Sequence, residues 1–400
     1  KNYRWKIQKK LLIMFVIIFH KNNSKEKYWN QLDKKLKIAI IGSRGYPYVY
    51  SGYETLVKEL SERLVKRGHH VRVYCHSSLF YKKPKQVNGI ELVYTPLIQY
   101  KTLSQITNSF FSFIHVCFSK TDIVLVLNSS NGPFGILTKI FKKKTFINVD
   151  GLEWLRPKWK GLGSVYFRFA SKLATIFFDE IITDSIEMNK VYRNKFGKKS
   201  VVIAYGSTMI VNKKSKILEK FSLQNKQYYL IVGRLIPDNN SKLIIEGFLK
   251  SNSNKSIVIV GDVPYYDDYA NNTKLLSSNK VVFTGYVNDQ VDLTILYNNC
   301  YCYIHGHEFG GTNPTMINAL DLNCQILALD TVFNREMLEN KSSVFFNKNS
   351  IAKKINEFEE RYEEFIQKNT SYKLPKKYDW NFISNKYLEI FQGLTNCQNK

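Results

Sequence analysis

Short apolar runs alternate with amphipathic segments along most of the chain, and this alternation limits the folds it can adopt. Residues 37–41 (KIAII) form an apolar run that ends in Gly42, residues 54–67 gather most of their aliphatic side chains on one helical face, and residues 71–75 form a second apolar run. This order predicts a strand, a glycine-bearing loop, a helix and a strand. Such βαβ units build a parallel sheet covered by helices.

The alternation occurs in two successive series, which predicts an α/β protein with two doubly wound, Rossmann-like domains that face a cleft. We expect an N-terminal extension at 1–36, a first domain at 37–210, a polar linker at 211–226, a second domain at 227–376, and a C-terminal helix and tail at 377–400. Further strands are expected at 122–127, 144–149, 180–183, 201–204, 228–232, 257–260, 281–283, 301–304, 325–329 and 343–346, and one long charged helix at 351–368.

The C-terminal segment has its own periodic pattern. Trp380, Ile383, Tyr387, Ile390 and Phe391 recur at helical spacing. A helix that follows a complete domain must bury such a face on another surface. We therefore expect this helix to cross back and pack on the first domain.

The charge of the chain is strongly positive, with 59 Lys and Arg against 33 Asp and Glu and a formal net charge of +26. This excess favours an anionic partner, and an acidic membrane surface is the leading candidate. General lysine enrichment explains the excess equally well. A nucleic-acid-binding protein is a more distant alternative, because the sequence has no zinc-finger spacing, RNA-binding aromatic signature or concentrated basic stripe. No nucleic-acid partner is expected.

The cysteines and the N-terminal extension bear on location. The six cysteines are scattered, without paired or zinc-binding spacing, which indicates a reducing cytoplasm. The apolar run 11–19 (LLIMFVIIF) follows several lysines and has half of the ~20 residues that a transmembrane helix needs. This extension either contacts a membrane or has no function. We expect a cytoplasmic protein at the inner face of the plasma membrane.

The strongest local motif is residues 303–320 (YIHGHEFGGTNPTMINAL), in which an apolar strand runs into two glycines and a helix start. Thr312 and Asn313 are candidates to cap this helix, and Pro314 suits its first position. Unpaired amides and the positive end of a helix favour a diphosphate. An ordinary strand-loop-helix junction is the alternative interpretation.

His305 and His307 lie in the strand of this motif, two positions apart, and therefore project from the same face. They could contribute to a metal site, but no third histidine or aspartate follows at ligand spacing. We expect hydrogen-bonding histidines in a polar pocket, with no bound metal.

Arg234 follows Gly233 at the end of the first strand of the second domain, where open α/β sheets face their ligands. A guanidinium at this edge can hold a diphosphate through two hydrogen bonds. A surface ion pair is the alternative.

Two loops of the first domain reach the same edge. Residues 42–54 (GSRGYPYVYSGYE) form a glycine-bearing loop that lacks the G-x-G-x-x-G spacing. Asp150, Glu153 and Trp154 follow the strand at 144–149, where carboxylates and an aromatic face would suit a sugar. A turn at the strand end is the alternative for Asp150.

The chain from about 37 to 394 resembles glycosyltransferase family 4, in particular its bacterial rhamnosyltransferase-like branch of surface-polysaccharide synthesis. The motifs that carry the resemblance occur in order: IGSRGYP, SGYETLVKELSERLVKRGHHVRVYC, NVDGLEW, TDS, VIAYGS, VGRLIPDNN, FTGYV, HGHEFGGTNPTMINAL and FNREML. The resemblance implies a GT-B fold, with the acceptor bound by the first domain and a nucleotide-sugar by the second. It also implies a retaining, metal-independent transfer without a cofactor.

The resemblance, together with the motifs, defines three sets of candidate residues. Catalysis is expected from Asp150, Arg234, His305 and His307. Donor binding is expected from Arg234, Asn239, Gly285, Tyr286, Val287, Gly310, Gly311, Thr312, Asn313, Thr315 and Asn318. Acceptor binding is expected from Gly42, Arg44, Gly45, Gly52, Tyr53, Glu54, Glu153 and Trp154.

One position departs from the family pattern, which has two glutamates eight residues apart around the helix start. Gly310 and Asn318 occupy those positions here. Asn318 can donate and accept hydrogen bonds but lacks the charge of a carboxylate. A degenerate, non-catalytic relative is therefore the main alternative to an active enzyme.

The predicted function is transfer of a sugar, with rhamnose favoured, from dTDP-rhamnose or a UDP-sugar to a saccharide acceptor. By the same resemblance, the acceptor is a saccharide on a polyprenyl diphosphate carrier in capsule, exopolysaccharide or O-antigen synthesis.

Overall fold

The computed structural model describes residues 35–47, 52–159, 161–210, 214–263 and 265–393. Most of the predicted extension at 1–36 and the tail after residue 393 lie outside the described residues. The described residues form two sheets with helices on their faces, as the alternating pattern predicts, and the strands are parallel except for the antiparallel pair β3 and β4.

The first sheet has eight strands in the order β3-β4-β2-β1-β5-β6-β7-β8. Its central strand β5 (IVLVL) is buried along its whole length, because helices cover both faces of the sheet. The strands are β1 (Lys37–Ile41), β2 (His70–His76), β3 (Gln86–Val87), β4 (Ile90–Thr95), β5 (Ile123–Leu127), β6 (Lys144–Asn148), β7 (Glu180–Thr183) and β8 (Val201–Val202). The helices are α1 (Gly52–Lys66), α2 (Lys101–Phe118), α3 (Gly135–Ile140), α4 (Leu162–Phe177) and α5 (Ile186–Phe196).

The second sheet has six strands in the order β11-β10-β9-β12-β13-β14, and its strands pair in parallel. The strands are β9 (Tyr228–Val232), β10 (Ser256–Val260), β11 (Val281–Gly285), β12 (Cys302–His305), β13 (Ile326–Leu329) and β14 (Val344–Phe346). The helices are α6 (Ile217–Lys220), α7 (Ser241–Leu249), α8 (Asp268–Lys274), α9 (Gln290–Asn299), α10 (Pro314–Asp321), α11 (Val332–Met337), α12 (Ile351–Glu360) and α13 (Tyr362–Asn369). The strand order changes direction between β9 and β12, where open α/β sheets bind ligands beyond their carboxyl ends.

Two parts of the fold differ from the sequence-based predictions. The prediction of a single helix at 351–368 is wrong, because the helix is interrupted at Arg361, whose backbone is not helical (φ −113°, ψ 19°). The break lets Phe358 and Phe365 both face the core, with ring centroids 5.3 Å apart. The hairpin of β3 and β4 was not predicted, although its Asn88-Gly89 turn, with positive φ at both residues, is a known hairpin signal.

The described part of the predicted linker, residues 214–226, packs against the second domain. Its short helix α6 buries Ile217 and contacts α9. Lys226 then donates hydrogen bonds from Nζ to the carbonyl oxygens of Asn298 and Cys300, both at 2.9 Å. This segment therefore forms part of the second domain's surface.

The last helix, α14 (Trp380–Gln392), crosses back to the first domain and packs on α1, which confirms the prediction. Asn148 Nδ2 donates to the Tyr387 hydroxyl at 3.1 Å, and Lys144 Nζ donates to the carbonyl oxygen of Phe391 at 2.9 Å. The rings of Phe146 and Phe391 meet edge to face at 5.0 Å. The helix thus ties the end of the chain to β6.

Replacing Phe391 with alanine should lower the free energy of unfolding by about 3–5 kcal/mol, because it leaves a cavity against Phe146 in a buried cluster. Phe382 on the same helix is more than one-third exposed, so Phe382→Ala serves as the control and should cost less than about 1 kcal/mol. Urea unfolding of both variants measures the difference. Equal losses would contradict the packing described here.

Candidate active site

A cavity of about 260 Å³ lies where the two sheets face each other. The start of α1 lines it from the first domain, and the ends of β9, β10 and β12 with the start of α10 line it from the second. Ten predicted residues meet in its wall: Gly52, Arg234, Asn239, Tyr286, Val287, His305, His307, Asn313, Thr315 and Asn318.

Arg234 provides the positive charge of the cavity. Its carbonyl oxygen accepts a hydrogen bond from Asn239 Nδ2 at 2.8 Å, and Asn239 Oδ1 lies 2.7 Å from His307 Nδ1. These contacts fix the loop that carries Arg234. Among the described residues, the guanidinium itself has no hydrogen-bond or ion-pair partner, so it can bind an anion in the cavity.

The two histidines are uncharged at neutral pH. Burial lowers the pKa of His305 to about 3. Burial and then the nearby cationic Arg156 lower the pKa of His307 well below its usual range. Neutral imidazoles in a buried pocket can hydrogen-bond a sugar hydroxyl without adding charge.

A chain of hydroxyls holds His305 in place. The Tyr303 hydroxyl lies 2.9 Å from His305 Nδ1 and 2.9 Å from Thr315 Oγ1. The other ring nitrogen, His305 Nε2, is buried without a hydrogen-bond partner in the described part of the chain. Within that part, no group of three or more His, Cys, Asp or Glu side chains is arranged to hold a metal ion.

The amides at the start of α10, where a diphosphate is predicted to bind, are largely engaged by protein groups. The Thr312 amide donates to Asp184 Oδ2 at 2.7 Å, and the Asn313 amide to Met337 Sδ at 3.4 Å. The Thr315 amide donates to Asn313 Oδ1 at 3.0 Å. A buried amide needs a hydrogen-bond acceptor, and these three groups provide one.

Asp150 and Asp184 form a buried carboxyl pair beside this helix start. They follow β6 and β7, which are neighbouring parallel strands, so their side chains reach the same edge and each carboxyl affects the pKa of the other. Tyr205 donates its hydroxyl to Asp150 Oδ2 at 3.0 Å. A side chain at Gly311 would clash with the Asp184 carboxylate, so this contact requires glycine at position 311.

The two carboxyls cannot both ionise at low cost in this environment. Burial and then the Asp150 charge raise the pKa of Asp184 well above its ordinary value. Burial also raises the pKa of Asp150, while the Arg156 cation opposes that shift. Both shifts favour a pair that holds a proton over one with two negative charges, and the pKa of Asp184 is raised the more strongly.

An ion-pair network continues from Asp150 across the domain boundary. Arg156 Nε lies 3.0 Å from Glu153 Oε1, and Arg156 Nη1 lies 3.6 Å from Asp238 Oδ2 in the second domain. Glu153 Oε2 also accepts from Trp159 Nε1 at 2.9 Å. Glu153, which was predicted to bind the acceptor, instead helps to join the two domains.

Trp154 does not line the cleft, which corrects its prediction as an acceptor contact. Only 4% of the side chain is exposed, and its ring packs edge to face on Tyr192 and Phe196 inside the first domain. The short helical turn at Glu153–Leu155 directs the indole toward the core.

The remaining predicted residues lie near the cavity but outside its wall. The loop from Gly42 to Gly45 packs on β5 and β2, and the Arg44 amide donates to the buried Glu54 at 2.9 Å. Tyr53 donates its hydroxyl to the carbonyl oxygen of Asp150 at 2.9 Å. The predicted residues that do not line the cavity are Gly42, Arg44, Gly45, Tyr53, Glu54, Asp150, Glu153, Trp154, Gly285, Gly310, Gly311 and Thr312.

Several residues of the site were not predicted. Asp184, Tyr205, Arg156 and Asp238 belong to the interdomain network, and Thr55, Thr208, Asp262, Gln290 and Tyr303 line the cavity. Asp184 had a recognisable signal, because it follows a strand end as Asp150 does.

Comparisons with known proteins agree with this architecture. Residues 213–374 match the family described as glycosyl transferases group 1, and residues 35–208 match a domain of unknown function, DUF1972. No curated protein sequence matches the chain.

Solved structures share the fold at low sequence identity. HepE from Anabaena, solved in complex with UDP-glucose, has a TM-score of 0.70 and 16% identity, over 90% of this chain and 100% of that one. Sucrose-phosphate synthase from Thermosynechococcus elongatus has a TM-score of 0.75 and 14% identity, over 91% and 100%. WaaG, a glycosyltransferase of lipopolysaccharide biosynthesis, has a TM-score of 0.65 and 13% identity, over 89% and 100%.

The two facing parallel sheets and the shared architecture define a GT-B fold, as predicted. The chain combines an N-terminal DUF1972 domain with a glycosyl transferases group 1 domain. These findings support a glycosyl-transfer role for the protein.

Replacing Asp184 with asparagine tests whether this pair holds a proton. The folded pKa of Asp184 lies above its ordinary value of 3.8, so this group's stabilisation declines as pH rises from that value through the folded pKa. The amide does not titrate. The unfolding free energy of Asp184→Asn should therefore rise relative to that of the wild type as pH rises. Urea unfolding over a pH series measures this gain.

Asp330→Asn is the matched control for that series. Its hydrogen bond to Arg335 lowers the pKa of Asp330, so this group stabilises the fold above its ordinary pKa and the effect fades as pH falls. The control should therefore lose, not gain, relative stability as pH rises. A gain in both variants, or in neither, would contradict the buried carboxyl pair.

Proposed function

We propose that the protein is a retaining glycosyltransferase that moves a sugar, with rhamnose favoured, from a nucleotide-diphosphate donor to a saccharide acceptor. The observation that supports this best is the interdomain cavity. Its wall contains the unpaired guanidinium of Arg234 and the helix cap Asn313. It also contains the neutral His305, whose Nε2 has no hydrogen-bond partner in the described part of the chain. A cation, hydroxyls and a neutral imidazole together suit a sugar diphosphate.

Arg234 is proposed to hold the donor diphosphate and to stabilise the charge that develops as it leaves. The acceptor hydroxyl oxygen forms the new bond to the anomeric carbon on the face from which the diphosphate departs. The bond between that carbon and the phosphate oxygen breaks, and the hydroxyl proton passes to the departing phosphate oxygen. This scheme needs no protein nucleophile, no metal and no cofactor, and the protein contributes position and electrostatic stabilisation.

Asp150 lies close to Gly310, the position at which the family pattern has its first glutamate, and this proximity supports the proposal. Gly310 occupies that position with φ +113°, and a Cβ there would lie 3.9 Å from Asp150 Oδ1 and 3.6 Å from His307 Nε2. The carboxylate of Asp150 thus lies next to the position from which the missing side chain would extend. We propose that it orients the sugar at this end of the cavity.

Asn318 is the weaker element of the donor site. Its Oδ1 accepts from the Thr208 amide at 3.2 Å and from the Ser207 hydroxyl at 3.4 Å, which fixes the 207–208 loop at the cavity wall. The neutral amide in place of a carboxylate favours a second candidate function, a non-catalytic relative that binds nucleotide diphosphates. Calorimetry with UDP, dTDP and GDP, followed by a donor-hydrolysis assay, separates binding from catalysis.

The proposed acceptor is a saccharide carried on a polyprenyl diphosphate in capsule, exopolysaccharide or O-antigen synthesis at the inner face of the plasma membrane. A screen of dTDP-rhamnose, UDP-sugars and GDP-sugars identifies the donor, with configuration at the anomeric carbon of the product read by NMR. Inversion in the product would contradict the retaining scheme.

Arg234→Ala should reduce turnover of the identified donor by about 100-fold to 1000-fold, because it removes the cation that meets the leaving diphosphate. Arg234→Lys should recover part of the loss, since it keeps the charge but not the two-pronged geometry. Arg335→Ala is the control: this arginine pairs with Asp330 on the exposed surface and should leave turnover unchanged. Unaltered turnover in Arg234→Ala would reject the assignment.

Asn318→Ala should weaken binding of the nucleoside diphosphate by about twofold to tenfold, the effect expected for one neutral hydrogen bond. Isothermal titration calorimetry measures the change directly. Asn340→Ala, on the exposed surface of the second domain, is the control. An unchanged Kd in Asn318→Ala would remove this residue from the donor site.

A further inference from the structure

Three helices, α2, α3 and α4, lie side by side on one face of the first sheet. Their inner sides bury Phe113, Val116, Phe167 and Ala174 in the cluster formed with the strands. The opposite face of the same sheet is covered by α1 and α14. The outer side of the three helices has no other described element packed over it.

That outer side is apolar. Among its exposed large side chains are Phe110, Phe118, Ile140, Leu162, Val165 and Phe169, and Leu162 is 88% and Phe118 75% exposed. Aromatic contacts continue between the helices, since Phe118 meets Phe141, just after α3, edge to face at 5.0 Å. An exposed apolar patch that continues over neighbouring helices marks an interaction surface.

The charged residues of the three helices themselves have a single sign. The sequences of α2, α3 and α4 contain no aspartate or glutamate. The helices and the turns that follow them carry basic residues, among them Lys120, Lys139, Lys142, Lys143, Arg168 and Lys172. Lys139 and Lys143 donate to the carbonyl oxygens of Ile176 and Ser119 at 2.9 and 2.6 Å, which keeps their charge at the helix ends.

Most acidic residues of the surrounding chain are directed elsewhere, and the exposed Asp179 and Glu180 lie just beyond the end of α4. Between residues 96 and 178 the acidic residues are Asp122, Asp150 and Glu153. Asp122 accepts the Lys37 amide at 2.7 Å, and the other two belong to the buried interdomain network. The described residues therefore place no carboxylate on these three helices to offset their cations.

The outer helices of the second domain are different. On α12 and α13, glutamates pair with Lys and Arg one turn away, as in Lys354 with Glu357 and Arg361 with Glu364. Mixed charges at these spacings are typical of a solvated helix surface. The apolar, cationic face is thus particular to the first domain.

We infer that the outer face of α2, α3 and α4 is a docking surface for an anionic lipid bilayer. Aliphatic and aromatic side chains would enter the interfacial region, and the lysines would meet the acidic headgroups. In the described part of the chain no helix is long and apolar enough to cross a membrane, so these helices lie along the surface. A second copy of the chain fits poorly, because a symmetric contact would oppose cations to cations.

This inference rests on the proposed function only in that a lipid-linked acceptor gives the surface its purpose. Vesicle binding needs no sugar donor and calorimetry with UDP needs no membrane. Failure of one measurement is therefore distinguishable from failure of the other.

The test is co-sedimentation of the full chain with vesicles of phosphatidylcholine alone and vesicles that also contain phosphatidylglycerol. We expect binding to the anionic vesicles that weakens with salt. Ile140→Asp and Leu162→Asp should each weaken it at least tenfold, because each removes an exposed aliphatic side chain that would enter the bilayer and adds a charge of the same sign as the headgroups. Lys142→Glu should weaken it about fivefold or more.

Leu275→Asp, at an 81% exposed position of the second domain, is the matched control and should bind as the wild type does. Urea unfolding and light scattering verify that the variants remain folded and report their oligomeric state. Wild-type binding by the variants on α3 and α4, or equal binding to both vesicle types, would overturn the inference. A dimer that Ile140→Asp dissociates would overturn it in favour of a second copy.

Discussion

The contact on which the site depends is the one between Asp184 and the start of α10. One oxygen of this buried carboxyl accepts the Thr312 amide of the second domain, and the group meets Asp150 of the first. An unpaired buried amide and two buried carboxylates would each be costly, and here the Thr312 amide and the Tyr205 hydroxyl each donate to one of the two carboxyls. The position of the glycine-rich loop against the first domain follows from that arrangement, as does the requirement for glycine at 311.

Much of the architecture could be predicted because parallel α/β sheets have a strong sequence pattern. Strands buried on both faces give continuous apolar runs. The two-residue repeat predicts that His305 and His307 lie on one side, and their ring centroids are 6.1 Å apart, although His307 lies just beyond the end of β12. The break at Arg361 could not be predicted from periodicity, since both halves are amphipathic helices and only tertiary packing separates them. The helix is interrupted there while Phe358 and Phe365 on its two sides both pack into the core.

The site was less predictable because side-chain partners lie far apart in sequence. Ser185 caps α5 by accepting the Met188 amide, so the TDS motif is explained locally and draws no attention to Asp184. Trp154 has the type of aromatic ring that stacks on sugars, but the turn that follows Asp150 places its side chain in the core. In both cases the residue type was a weaker guide than its position at the end of a strand, which was available from the sequence.

The crossing of α14 to the first domain has a consequence for the order in which the protein can fold. The partners of Asn148, Phe146 and α1 all lie on α14, which is the last part of the described chain to leave the ribosome. Until that helix arrives, the first domain exposes the apolar surface that Trp380 and Phe391 later cover. The first domain is thus translated early but completed late, and its maturation is coupled to synthesis of the whole second domain.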